Sequence, residues 1–257
     1  MEDLKAALVE SYYFIKSAKA RQLRKKNIPF DHYRELNKKW LQASQIKTVI
    51  DVGANKGQFA KLAREVFPDA MIYSFEPLPE CFATLKDVMP GDKQFKSFNT
   101  GVGRAESSID FFPSFHSPSS SFLKMEDLHK EAFPYTKDGQ ANNPITVPVN
   151  SLDNLLSPYQ LEKNILLKID VQGFEREVVA GASGILAKTQ VVIMEVSYST
   201  LYKGQPLFHE MYQQMHDCGF LFYGNLAQMY NPSNEQVVQA DAIFIKSPEP
   251  KYLRTNE

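Results

Sequence analysis

Val49-Ile50-Asp51-Val52 runs directly into Gly53-Ala54-Asn55-Lys56-Gly57, and a helical pattern begins at Gln58. That junction constrains the fold more than any other part of the chain. An unbroken apolar strand must be covered on both faces, and glycines ahead of a helix let the chain turn back sharply over the sheet. The following sequence repeats the unit. A helix is predicted over 58–67, stopped by Pro68, then a strand over 70–75, a helix over 80–89 and a strand over 95–98. Strands are predicted again over 107–112, 145–149, 165–170, 191–196, 220–223 and 240–245, and helices near 152–156, 175–186 and 208–217. The alternation predicts an α/β fold: a doubly wound, mostly parallel, Rossmann-like sheet of seven strands.

The ends and the middle of the chain read differently. Residues 1–45 form an N-terminal helical extension ahead of the main domain, 46–257. Leu4, Leu8, Tyr12 and Ile15 recur at helical spacing, and a basic run follows at Lys16, Lys19, Arg21, Arg24, Lys25 and Lys26. Asn27-Ile28-Pro29 stops that helix, and a second stretch runs through Tyr33, Leu36, Trp40 and Leu41. A solvated cap on the main domain is the plain reading; contact of the basic helix with a membrane surface, as a peripheral protein, or with a polyanionic substrate is the other. Residues 113–144 open on a serine and proline cluster and read as a lid-like insertion with little local packing. Its Phe115, Phe122, Phe133 and Tyr135 are suited to an acceptor pocket.

Charge and cysteine usage exclude some classes. The formal net charge is −1, so no overall basic field draws the molecule to nucleic acid, and no nucleic-acid partner is expected. Cys81 and Cys218 have no metal-ligand spacing and read as reduced thiols. The N-terminus has no signal-peptide pattern, and no window reaches the roughly 20 apolar residues that span a bilayer. A cytoplasmic protein is the expectation.

The Gly53 turn implies a nucleotide. Free amides at the start of the helix face the crevice above the strand ends, and Glu76 closes the next strand 25 residues after Asp51. An acid there accepts hydrogen bonds from a ribose diol. Asn55, however, stands where a dinucleotide motif has its middle glycine, and its side chain would crowd a pyrophosphate. A phosphate-free cofactor with an amino-acid end, S-adenosylmethionine, suits the spacing better.

Three segments carry a family resemblance: Asp51-Val-Gly-Ala-Asn-Lys-Gly57, Phe75-Glu-Pro77 and Lys168-Ile-Asp-Val-Gln-Gly-Phe-Glu175. Together they resemble the FkbM family of S-adenosylmethionine-dependent methyltransferases. Val191-Ile-Met-Glu-Val196 and Asp241-Ala-Ile-Phe244 are similar to its pattern as well. The resemblance spans roughly 47–246 and leaves out the N-terminal helices. It implies the class I methyltransferase fold and methyl transfer, often to oxygen on sugars or natural products. Gln172 stands where the family more usually has an acid, which weakens any expectation of an obligatory metal, and none is assigned.

The expected cofactor residues are Asp51, Gly53, Asn55, Gly57, Glu76, Asn99, Gly101 and Asp170, with Asn99 and Gly101 beside the adenine. The expected catalytic residues are Asp170, Glu195 and Glu175, acids at strand ends or at a helix start where they could orient or deprotonate a hydroxyl. Lys168, on a buried strand, needs an acidic partner and reads as a structural ion pair. The five histidines show no ligand spacing, although His116 in the insertion could act as a base. The acceptor is expected to be a small molecule or a glycan. Two other readings stay open: an NAD-dependent oxidoreductase, and a nucleotide-binding scaffold without turnover.

Overall fold

The computed structural model describes residues 17–114, 119–133 and 143–247. Its main sheet has seven strands: β1 (Thr48–Val52), β2 (Met71–Phe75), β3 (Phe95–Phe98), β7 (Ile165–Ile169), β8 (Thr189–Ser197), β9 (Phe220–Tyr230) and β10 (Val237–Lys246). Their spatial order is β3-β2-β1-β7-β8-β10-β9. The first five run parallel, and β10 lies antiparallel between β8 and β9. Helices α4 (Gln58–Val66) and α5 (Pro79–Leu85) return the chain between β1, β2 and β3. The doubly wound, mostly parallel α/β sheet read from the sequence is the observed fold.

Every residue of β1 and of β7 is buried, so side chains from both faces of the sheet enter core. One face carries Ile50, Phe75, Leu167, Met194 and Phe244, and the other carries Val49, Ile72, Leu166 and Ile193. This two-sided burial explains why the strands show no polar alternation. A small second sheet joins β4 (Gly101–Val102), β6 (Ile145–Asn150) and β5 (Ser107–Phe111) in that order.

Three short helices precede β1: α1 (Ala18–Lys25), α2 (Phe30–Leu36) and α3 (Lys39–Ala43). They cap the main domain, with an inner side buried against it and an outer side left to solvent. Leu23, Leu36 and Leu41 are fully buried in the same cluster as Val49, Ala60 and Ile72. From the basic run, Lys19 Nζ lies 2.8 Å from Glu65, and Lys26 pairs with the same carboxylate. Burial would raise Glu65, but the two ammonium groups outweigh it and hold the carboxyl below its ordinary range. Leu4, Leu8, Tyr12, Ile15 and Lys16 lie outside the described residues. None of the described helices is long and apolar enough to cross a membrane.

Several predicted boundaries move. The stretch through Tyr33 and Leu41 is two helices, because Asn37 ends α2 with its backbone amide on Tyr33 O. The helix over 175–186 divides at Gly181, one of the two glycines in that run, into α8 (Glu175–Ala180) and α9 (Ser183–Leu186). Helices α7 (Leu152–Leu156) and α10 (Phe208–Asp217) stand where the sequence put them. Strand β9 extends to Tyr230 because β10 supplies a partner along its whole length.

Within the insertion, residues 119–133 are packed rather than loose. They include the short helix α6 (Asp127–Ala132). Phe122 and Phe133 are buried, and the Phe122 ring lies 4.9 Å from Phe111 and 4.7 Å from Phe174. The amide of Glu126 donates to Leu201 O at 2.9 Å, and the amide of Lys203 donates back to Lys124 O at 2.8 Å. This packing comes from contacts distant in sequence, which the local pattern did not show. Phe115, His116 and Tyr135 lie outside the described residues.

Candidate active site

Strand β1 sits where the winding reverses: the chain leaves it toward β2 on one side and later returns as β7 on the other. Such a switch point opens a crevice at the carboxyl ends of the strands. A cleft of about 350 Å³ lies there, within the range of roughly 300–1,000 Å³ typical of ligand sites. The fold brings Asp51, Gly53, Asn55, Glu76, Gly101, Asp170 and Glu195 to its walls, with Lys168 between them.

One half of the cleft is built on β1 and β2. Asp51 pairs in register with Ser74 and Lys168, and Ser74 Oγ donates to its carboxylate at 3.3 Å. Burial pushes the Asp51 carboxyl up to about 7 despite Lys168 nearby. Glu76 follows β2, and each of its oxygens accepts one backbone amide at 2.8 Å, from Asn55 and from Leu78. An oxygen of a carboxylate has two acceptor sites, so one remains free of these amides on each, a pair suited to two hydroxyls. Burial also raises Glu76 to about 7.

Three residues expected at the cofactor have other work. Asn99 does not line the cleft: its amide donates to the carbonyls of Glu76 (2.9 Å) and Pro77 (3.1 Å) and so holds the turn that presents Glu76. Gly57 does not line it either. Its amide bonds Ala54 O at 2.8 Å, and a Cβ in its left-handed conformation would meet Val88 at 3.0 Å. Gly53 does reach the cleft, but what demands glycine there is the fold. With φ at +80°, a Cβ would stand 1.8 Å from the backbone oxygen of Asp170.

The other half is built on β7, β8 and β10. Lys168 Nζ lies 3.2 Å from Asp170 and 2.9 Å from Asp241. Burial alone would lower the ammonium, but these carboxylates win and hold it above its ordinary value. Gln172 Nε2 donates to Asp170 at 3.0 Å and to Glu195 at 2.6 Å, bridging the two acids. Burial raises Glu195 well above the usual carboxylate range, with Asp170 and Glu175 adding to it. Asp170 is the open member, with 36% of its side chain exposed.

Glu175 departs from its expected catalytic role. It is buried, absent from the cleft wall, and accepts the amides of Val171 (3.2 Å) and Gly173 (3.1 Å). It therefore braces the loop that carries Gln172, and burial raises it to about 7.

Sequence reasoning missed Asp241, His129 and Tyr202. Asp241 had a signal: it interrupts a buried strand between Ala240 and Ala242, where an acid requires a cation. His129 and Tyr202 had none. They meet only because α6 is laid beside the segment after β8, with Tyr202 Oη 3.0 Å from His129 Nε2 and 2.7 Å from Gln172 Oε1.

The model of the family described as Methyltransferase FkbM domain matches residues 51–222. The 2-O-methyltransferase NoeI of Sinorhizobium fredii is 30% identical over 164 residues, which cover 61% of this chain and 66% of that protein. The hexuronic acid methyltransferase AglP of Haloferax volcanii is 26% identical over 158 residues, covering 60% of this chain and 58% of that protein. In both cases the matched stretch spans less than two thirds of the relative's own length. Among solved structures, methyltransferase FkbM from Methylobacillus flagellatus KT aligns with a TM-score of 0.47 at 11% identity, over 78% of this chain and 43% of that one.

Proposed function

Because this chain belongs to the methyltransferase FkbM family, we propose that it transfers the methyl group of S-adenosylmethionine to a hydroxyl oxygen of an uncharged sugar or similar polyhydroxylated molecule. The observation that carries this reading is the division of the cleft. A nucleoside half around Glu76 abuts a carboxylate pair, Asp170 and Glu195, bridged by Gln172.

The residues fit that cofactor. Lys168 is the one Lys or Arg among the described residues lining the cleft, and Asp170 and Asp241 already hold it. A pyrophosphate would find no cation beside Glu76, whereas a phosphate-free nucleoside needs none. Glu76 would take the ribose hydroxyls, and Asp51 and Asn55 would face the rest of the nucleoside and its amino-acid end. When bound, S-adenosylmethionine supplies a methyl on a positively charged sulfonium, already strongly electrophilic.

The chain then aligns and deprotonates. Asp170, more exposed than Glu195 and tied on its inner side by Lys168 and Gln172, takes the proton released as the hydroxyl oxygen gains its methyl group. Glu195, held toward its protonated form by burial, can orient the acceptor without adding charge. Asp170 and Asp241 outnumber the one Lys168 ammonium they share and so disfavour an acceptor that is itself anionic. The test is transfer of labelled methyl from S-adenosylmethionine to a panel of neutral sugars and the matching uronic acids. Label on oxygen of the neutral members is expected; label confined to the uronic acids would overturn the acceptor assignment.

Cofactor binding gives two further expected results. Glu76→Ala should weaken S-adenosylmethionine by about 1.5–3 kcal/mol, roughly ten- to a hundredfold. Unchanged affinity by calorimetry would remove Glu76 from the ribose. Asp51 and Glu76, both raised to about 7 by burial, lose protons as pH climbs through neutrality. Their ionised forms attract the sulfonium and accept hydroxyl protons better, so affinity should rise from about pH 6 to about pH 8 and then level off. Calorimetry showing affinity falling over that range would contradict the assignment.

A further inference from the structure

We propose that His129 and Tyr202 are positioning residues for this reaction: they fix the side-chain amide of Gln172, which in turn holds Asp170 and Glu195 together at the cleft. The inference rests on the methyl-transfer reading of the same site. The hydrogen-bond chemistry permits one direction along the chain of contacts. Asp170, as the base, can be held only by a donor, so Gln172 turns its NH₂ toward the two acids and its Oε1 away. Tyr202 Oη lies 2.7 Å from that Oε1 and 3.2 Å from the carbonyl of Ser119, both acceptors. A phenol has one hydrogen, and the shorter contact takes it. The tyrosine oxygen is then an acceptor for His129 Nε2 at 3.0 Å, which must carry a proton.

The backbone tells the same story. Gln172 sits in the left-handed region with φ at +55°, a conformation that persists only where its surroundings impose it. Ser121 Oγ donates to its carbonyl at 2.6 Å, and Glu175 caps the loop from behind. His129, Tyr202 and Gln172 are all buried, so the bonds face little competition from water. The insertion thus reaches Gln172 twice, directly on its backbone through Ser121 and on its side chain through His129 acting on Tyr202 of the segment after β8. Remove the bridge and two neighbouring carboxylates face each other, with Lys168 and Asp241 beside them, Asp51 and Glu76 across the cleft, and Glu175 behind.

Nitrogen-15 spectra of the ligand-free protein test the network itself. His129 is expected to carry its proton on Nε2, and the Gln172 side-chain amide protons to exchange about tenfold faster or more in Tyr202→Phe. Turnover across pH, measured with a neutral sugar that accepts label, then tests the consequence. Tyr202→Phe should move the midpoint of the rising limb of kcat up by about half a unit or more, since the loosened Gln172 amide favours the ionised form of the acids it bridges less well. Affinity for S-adenosylmethionine should stay within about twofold, because Tyr202 does not touch the nucleoside half. His129→Phe should shift the midpoint the same way, while His129→Gln, which keeps an N–H donor, should restore it in part. If Tyr202→Phe does not fold, Gln172→Met should show the same shift. An unchanged midpoint, or a bare His129 Nε2, overturns the proposal. Failure of the wild-type protein to bind S-adenosylmethionine overturns instead the reading on which it rests, and the ligand-free spectra separate the two.

Discussion

Gly53→Ala is expected to unfold this protein, or to leave it less stable by more than about 4 kcal/mol, the range reserved for steric and backbone damage combined. The added Cβ would lie 1.8 Å from Asp170 O, and that oxygen belongs to backbone that cannot step aside. Asp170 donates its own amide to Val52 O at 3.0 Å, and Gly53 and Ala54 donate theirs to Phe75 O, so the turn is tied to both neighbouring strands. The left-handed φ adds a penalty of about 1–2 kcal/mol for any residue with a Cβ. Gly57→Ala is the control. It carries a similar φ, but its Cβ meets the side chains of Val88 and Leu85 at 3.0–3.1 Å, which can shift. Its cost should stay near about 1–2 kcal/mol. Urea denaturation of the two variants checks the comparison. A Gly53→Ala protein as stable as Gly57→Ala would mean that the strands can separate at the turn.

Asp170→Asn should cut turnover at least tenfold, toward the roughly hundred- to ten-thousandfold that a general base contributes. The melting temperature should stay close to wild type, because more than a third of the side chain is exposed and screened. A carboxamide can still accept from Lys168 or from Gln172, though not from both, so the bridge is weakened and not removed. Steady-state kinetics should place the loss in kcat, with S-adenosylmethionine affinity little changed. If the variant instead unfolds readily and its folded fraction turns over at full rate, Asp170 is only a partner for Lys168.

How far the sequence reached can be followed through particular residues. Strands β1, β2, β7 and β8 were legible because burial on both faces leaves an apolar run, and the Gly53 turn was legible because glycine there has no substitute. Asp51, Glu76, Asp170 and Glu195 were legible as acids at or near the ends of those runs, where solvent or a ligand must meet them. Those are local properties, written in consecutive residues. Partnership is not. Glu175 and Gly57 have the residue types of a site and turn away from it, one onto backbone amides and the other onto Val88. Asn99 faces carbonyls rather than the cleft. Asp241, His129 and Tyr202 come to the site from β10, from the insertion and from the segment after β8, between 30 and 73 residues from Gln172, Lys168 or one another. Hydrophobic periodicity and turn chemistry determined the sheet and the place of its crevice. Which side chains share a proton or a charge in that crevice was decided by strand order and by the docking of 119–133, because a hydrogen bond depends on a separation of about 3 Å in space and on nothing in the chain between.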